Sequence, residues 1–299
     1  MTNLMNRRDL LKLTGMGVAV FVSGTAARAG GGFRPQKNES FYFVQLSDTH
    51  WGFNGPNINP DSQGTLKKAV AAVNALDDQP DFVVFTGDLT QTTDDRKIRR
   101  DRMAEFRDIV SELKVKTVRF MPGEHDASLD RGEAYQEFFG DLHYSFDHNG
   151  VHFITLDNVS DPMAAVGEKQ LQWLQADLKQ MKKDARIVVL THRPLFDLAP
   201  DWDWATRDGA AVIDTLMPYS NVTVLYGHIH QEHHHMTGHI AHHAAKSLMW
   251  ALPEPGSVPK KAQIPWNAAE PYKGLGFRDV EAEVRQALYK IEEIPVSKG

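Results

Sequence analysis

Tyr226-Gly227-His228-Ile229-His230 places two imidazoles one residue apart, just beyond the apolar run Val222-Thr223-Val224-Leu225-Tyr226. Side chains at i and i+2 of an extended segment point the same way, so this pair could face one metal ion or two adjacent ones. Taken alone it is equally compatible with a solvated turn. Four further apolar runs end on residues of the same kind. Residues 41–46 lead into Ser47-Asp48-Thr49-His50, and 82–85 into Thr86-Gly87-Asp88. Residues 117–121 lead into Pro122-Gly123-Glu124-His125-Asp126, and 187–190 into Thr191-His192. The chain of 299 residues has no cysteine. Disulfides, thiolate zinc sites and cysteine nucleophiles are thereby excluded, and a metal would have to be held by nitrogen and oxygen.

Such residues can converge only if the runs that carry them lie side by side. Short apolar runs separated by helical segments describe an α/β sheet, in which ligands sit beyond the carboxyl ends of the strands. Leu66, Ala69, Val70, Val73 and Leu76 recur at helical spacing, as do Phe106, Ile109, Val110 and Leu113. Further helices are expected at 133–139, 168–181 and 208–217. Residues 143–147 and 151–156 form a predicted hairpin through Asn149-Gly150. The His-rich stretch 233–243 fits paired strands around Thr237-Gly238, its extra imidazoles facing solvent or backing the metal site. The Pro-rich segment 253–271 is expected to run extended over the surface. Residues 277–294 suit a helix through Val280, Val284, Leu288 and Ile291, and a strand through Val280, Ala282 and Val284. Trp51, Phe53 and Asn54 in one loop, and Trp202 and Trp204 in another, could touch substrate or pack within their loops. Arg96, Lys97, Arg99, Arg100 and Arg102 alternate with Asp94, Asp95 and Asp101, which reads as a solvated helix face rather than a phosphate site.

Residues 1–29 read as a targeting peptide. Arg7-Arg8 sits in a stretch that resembles the twin-arginine consensus, a mildly apolar region follows, and Ala27-Arg28-Ala29 supplies a cleavage site. That apolar region is too short for a stable transmembrane helix. The expectation is export by the twin-arginine machinery to the periplasm, with no stable membrane insertion once the peptide is removed. Residues 30–40 form a flexible leader, and 41–299 one domain with a β-rich C-terminal tail. A net charge of −6 argues against a protein that coats nucleic acid.

Together, Asp48-x-His50, Gly87-Asp88, Gly123-Glu124-His125-Asp126, His192 and Gly227-His228-x-His230 resemble the five blocks of the calcineurin-like metallophosphoesterases, over residues 41 to about 252. The resemblance implies a four-layer α/β/β/α sandwich of two mixed sheets flanked by helices, and it favours a β-hairpin for 277–294. It also implies two metal ions drawn from Fe, Mn and Zn, including a mixed Fe/Mn or Fe/Zn pair. Asp88 would bridge them, with Asp48, His50 and His230 on the first and Glu124, His192 and His228 on the second. A hydroxide between the metals would be the nucleophile. His125 would donate a proton or hydrogen bond to the leaving oxygen, and Asp126 would orient that imidazole. One block departs from the family pattern, since Glu124 stands where an Asn ligand is usual, and it brings a full negative charge. The function implied is hydrolysis of a small phosphoester, in the manner of class III cyclic-nucleotide phosphodiesterases. A phosphomonoesterase is the first alternative, and a non-hydrolytic periplasmic metal-binding protein on the same fold is the second.

Overall fold

A computed structural model describes residues 20–22, 40–283 and 288–297. The targeting peptide and leader expected at 1–40 lie outside the described residues except for Val20–Val22 and Ser40. Twelve strands are described: β1 Val20–Val22, β2 Ser40–Leu46, β3 Phe82–Thr86, β4 Val118–Met121, β5 Tyr144–His148, β6 Val151–Thr155, β7 Arg186–Leu190, β8 Asn221–Tyr226, β9 His233–Thr237, β10 Ile240–Ala244, β11 Gly276–Glu283 and β12 Leu288–Pro295. They form two six-stranded mixed sheets, ordered β1-β12-β11-β2-β3-β4 and β5-β6-β7-β8-β10-β9. Within them β2-β3-β4 and β6-β7-β8 are parallel, which brings the carboxyl ends of each set to one edge.

Parallel strands are buried on both faces and therefore read as continuous apolar runs. Every residue of β3 and β6 is buried. The two-residue period of a strand assigns alternate side chains to different cores. Phe43, Phe82 and Val84 face the second sheet, where Phe153, Val188, Leu190 and Leu225 meet them. Phe43 stacks on Phe82 at 4.7 Å between centroids, and Phe153 stands edge-on to Phe82 at 5.3 Å. Val44, Leu46, Val83 and Phe85 face outward beneath helices α1 (Thr65–Asn74) and α2 (Arg96–Val110), against Leu66, Val70, Val73, Met103 and Phe106. On the far side, Ile154, Ile187, Val189 and Val224 lie under α5 (Glu168–Leu178) and α6 (Gly209–Leu216). Short helices α3 (Glu124–Ala127) and α4 (Glu133–Phe139) lie between α2 and β5 in the chain. The order of layers is helix, sheet, sheet, helix.

Residues 277–283 and 288–294 resolve as strands, with β11 and β12 antiparallel and β11 also paired with β2. The His-rich stretch pairs as expected, with His242 opposite His235 and His243 opposite His234. No helix among the described residues is long and apolar enough to cross a membrane.

Candidate metal centre

Five strand ends deliver the site. The loops after β2 and β3 run side by side, the Asp48 N–H donating to Gly87 O at 3.0 Å and the His50 N–H to Asp88 O at 2.9 Å. From the other sheet, the Gly227 N–H donates to His192 O at 3.1 Å, and the His228 N–H reaches the Asp48 carboxylate at 3.1 and 3.2 Å. Asp48, His50, Asp88, His228 and His230 all have left-handed backbone, with φ of 54°, 41°, 49°, 66° and 55°. Non-glycine residues adopt it at a cost, and it clusters at functional sites. Gly87, at φ +91°, also lets the strand ends close up, since a Cβ there would lie 2.4 Å from His192 Nδ1. A Cβ on Gly227 would lie 2.1 Å from Ser47 Oγ.

The seven expected ligands come together as two groups able to hold metal. Asp88, Glu124, His192 and His228 form one, and Asp48, His50 and His230 the other. Asp88 also groups with His50 and His125, which places its carboxylate between the two sets. His192 Nε2 lies 2.9 Å from Glu124 Oε2 and 3.3 Å from Asp88 Oδ2. His230 Nε2 lies 3.2 Å from both Asp48 Oδ1 and His50 Nε2. His228 Nδ1 is 2.8 Å from Glu124 Oε1. Because carbonyls only accept, the Nδ1–H of His192 donates to Thr86 O at 2.7 Å and that of His230 to Trp250 O at 2.8 Å. Each Nε2 is thereby aimed at the carboxylates, the usual second contact of a metal-binding histidine.

The donor set fits a metal pair on chemical grounds. His228 Nε2 is buried without a hydrogen-bond partner, His192 Nε2 and His228 Nδ1 meet only carboxylates, chiefly those of Glu124 and Asp88, and two imidazole nitrogens face each other at 3.2 Å. Buried polar atoms are rarely left so, and a cation would satisfy them. Burial, then the imidazoles of His125 and His230, hold His50 well below the usual histidine range. Burial likewise lowers His228. For Glu124, burial favours the neutral acid, but the imidazoles of His228 and His192 outweigh it and hold the carboxyl well below its usual range. Burial lowers His192, yet Asp88 and Glu124 outweigh it and hold it well above its ordinary value. Of these imidazoles only His192 is poised to hold a proton among the carboxylates, a role that a bound cation would take over.

His125 follows Glu124 in α3 and is the most exposed imidazole of the set. Its ring stands edge-on to His50 at 4.6 Å, and its Nε2 is 3.9 Å from Asp88 Oδ2. Its expected orienter is not Asp126. That carboxylate is buried and accepts from the N–H groups of Leu89, Thr90 and Gly123 at 2.8–3.0 Å and from Thr90 Oγ1 at 3.0 Å. The one-turn helix needs its N-terminus capped, and Asp126, three residues past Gly123, points back to do so. Burial, reinforced by the charge of Asp88, raises Asp126 to about 6. Thr92 takes the expected place of Asp126, its N–H 3.3 Å and its Oγ1 2.7 Å from His125 Nδ1. An amide can only donate, so Nδ1 carries the lone pair and the neutral ring keeps its proton at Nε2, toward Asp88.

The flanking aromatics are mostly packing. Trp51 is buried and donates to Glu105 Oε2 at 2.8 Å. Trp202 and Trp204 are buried against each other, edge to face at 4.7 Å. Phe53 packs on Trp250 at 4.7 Å, and Trp250 stacks on His50 at 4.1 Å. Of the charged α2 residues, Arg99 departs from the solvated face: it is buried and paired with Asp130 at 2.6 Å. None of the metal-capable groups includes a histidine of β9 or β10, where His235 stacks on Phe196 at 3.8 Å. Trp250 and Thr92 lie outside the recognisable blocks, and only the folded chain brings them to the site.

Residues 41–232 match the model of the family described as calcineurin-like phosphoesterase. The chain is similar to a probable cyclic nucleotide phosphodiesterase of Rhodococcus erythropolis, at 30% identity over 202 residues, 63% of this chain and 64% of that protein. It is also similar to the serine/threonine-protein phosphatase CPPED1 of Mus musculus, at 28% over 184 residues, 54% of this chain and 59% of that one. The match thus spans less than two thirds of either relative. A dimetal phosphatase from Danio rerio superposes with a TM-score of 0.54 at 17% identity, covering 86% of this chain and 99% of that one, a likeness of fold.

Proposed function

Because the chain belongs to the calcineurin-like phosphoesterase family, we propose that it is a dinuclear-metal-dependent phosphoester hydrolase acting on a small phosphodiester. The observation that carries this reading is the convergence of seven nitrogen and oxygen donors into two groups with Asp88 between them. Asp88 would bridge. Asp48, His50 and His230 would hold one ion, and Glu124, His192 and His228 the other. Iron, manganese and zinc all suit these donors. When bound, such a pair supplies Lewis acidity and an activated water at neutral pH.

The remaining chemistry belongs to side chains. Two cations close together repel strongly, and the carboxylates of Asp48, Asp88 and Glu124 offset that repulsion. Thr92 holds the His125 ring with its N–H at Nε2, where it can donate a hydrogen bond to the departing oxygen as the ester bond breaks. Trp250, stacked on His50, excludes water from one side of the site. We extend the proposal to a periplasmic location reached by twin-arginine export, on the strength of Arg7-Arg8 and Ala27-Arg28-Ala29. Phosphomonoester hydrolysis is the second reading, favoured by the likeness to a protein phosphatase.

The test is to strip the protein, reload it with Mn, Fe or Zn, count metal per chain, and follow single turnovers on aryl phosphodiesters and monoesters. Two metals per chain and faster cleavage of diesters are expected. Full loading with no cleavage of either ester would leave a metal-binding protein without hydrolytic function.

A further inference from the structure

The segment between Ala251 and Leu275 forms a strap that lines a cavity together with His230 and Trp250. It is fixed where Gln231 Nε2 donates to Pro253 O at 2.5 Å, the Ile264 N–H to Ala251 O at 3.0 Å, and the Trp266 N–H to Asn57 O at 2.9 Å. The strap carries Lys261 to the Glu124 side of the metal centre. Lys261 Nζ lies 5.7 Å from the centroid of the Trp204 ring. That ring lies 6.4 Å from the ring of His228, whose Nδ1 is 2.8 Å from Glu124 Oε1.

Two cations stand on this side, and their states differ. The Arg193 guanidinium is buried and committed, with Nε donating to Ala205 O at 3.2 Å and its other arm engaged by the backbone oxygen and carboxylate of Asp203. Among the described residues no hydrogen bond or ion pair engages the Lys261 ammonium. The residue as a whole is exposed. Desolvation lowers its pKa, opposed by the attraction of Glu124 and Asp203 and aided by the repulsion of Arg193. An ammonium over an indole face, with no hydrogen-bond partner and within electrostatic reach of Glu124, has three donors to offer an incoming anion. Glu124 needs that offset, because its charge repels a phosphoryl oxygen approaching from this side.

We propose that Lys261 is a specificity-determining residue that binds an anionic oxygen of the phosphoester on the Glu124 side, so that affinity grows with the negative charge of the substrate. The inference rests on the phosphoesterase reading and adds the group that selects for charge. A single charge-assisted hydrogen bond of this kind corresponds to about a tenfold change in binding.

The experiment compares wild type, Lys261→Met, Lys261→Arg and, as a control on the strap, Lys260→Met, each loaded with manganese. Two quantities are measured: the Kd of inorganic phosphate by calorimetry, and kcat and KM for an aryl monoester and the matching methyl diester. Lys261→Met should weaken phosphate about tenfold and raise KM more for the doubly charged monoester than for the diester. Its kcat should stay within about twofold, its metal content should not change, and Lys261→Arg should restore most of the loss. Unchanged phosphate affinity, or equal losses for both esters, overturns the proposal. So does an equal effect from Lys260→Met, which would mean general surface charge. If the wild type cleaves neither ester but binds phosphate in a Lys261-dependent way, the hydrolase reading fails while this inference stands.

Discussion

Asp88 and His125 sit side by side yet should fail differently when replaced. Asp88 lies between both donor groups, so Asp88→Ala should release more metal than any other single ligand change. Metal analysis after gel filtration checks this, and loss confined to one ion would argue against a bridge. His125 reaches that carboxylate only at 3.9 Å and is held by Thr92. His125→Ala should therefore keep both metals and slow turnover by about 10²–10⁴-fold, least for esters with good leaving groups. Equal slowing across leaving groups would remove His125 as the hydrogen-bond donor to the leaving oxygen.

The elements show why part of the site was legible in the sequence and part was not. Strands β2, β3, β7 and β8 announce themselves because burial on both faces demands unbroken apolar runs, and ligands at their ends follow from the geometry of parallel sheets. The β11–β12 hairpin was ambiguous, since Val280 and Ala282 satisfy two periods and only the pairing of β11 with β2 decides between them. Asp126 was misread because its neighbour in sequence, His125, is not its neighbour in space. Its carboxylate binds the loop after β3 to the start of α3, so Asp126→Ala would leave three buried N–H groups without an acceptor. A loss of about 3 kcal/mol in unfolding free energy is expected, together with weaker metal binding. Denaturant titration of the stripped proteins checks the first part, and a loss under about 0.5 kcal/mol would refute it.

For the whole molecule, one pH-sensitive tie lies away from the metal centre. His152 on β6 is buried between Asp147 of β5 and Asp177 of α5, each 2.7 Å from a ring nitrogen. Burial lowers its pKa, but the hydrogen-bonded carboxylates of Asp177 and Asp147 outweigh it and raise the pKa above the ordinary value. A folded-state pKa above the unfolded one, about 6.5, gives stability that is complete below that value and disappears as pH rises through the folded pKa. The gap in urea midpoint between wild type and His152→Gln should therefore be widest near about pH 6 and narrow at higher pH. A gap that stays constant would show that His152 contributes packing alone. The two sheets meet a second time at the candidate metal centre, four of its seven residues following strands of the first sheet and three following strands of the second.

The left-handed backbone at five of the seven ligands also bears on which of them can change over evolutionary time. At Asp48, His50, Asp88, His228 and His230 a replacement must both donate to a cation and tolerate positive φ, which leaves Asn, Asp and His as the accessible alphabet. Neither Glu124, which opens a helix, nor His192 has positive φ, and neither bears such a constraint. Glu124→Asn and Glu124→Gln should both fold like wild type, whereas Asp88→Val should not, and a saturation library sorted for folded protein would show whether tolerance follows φ in this way.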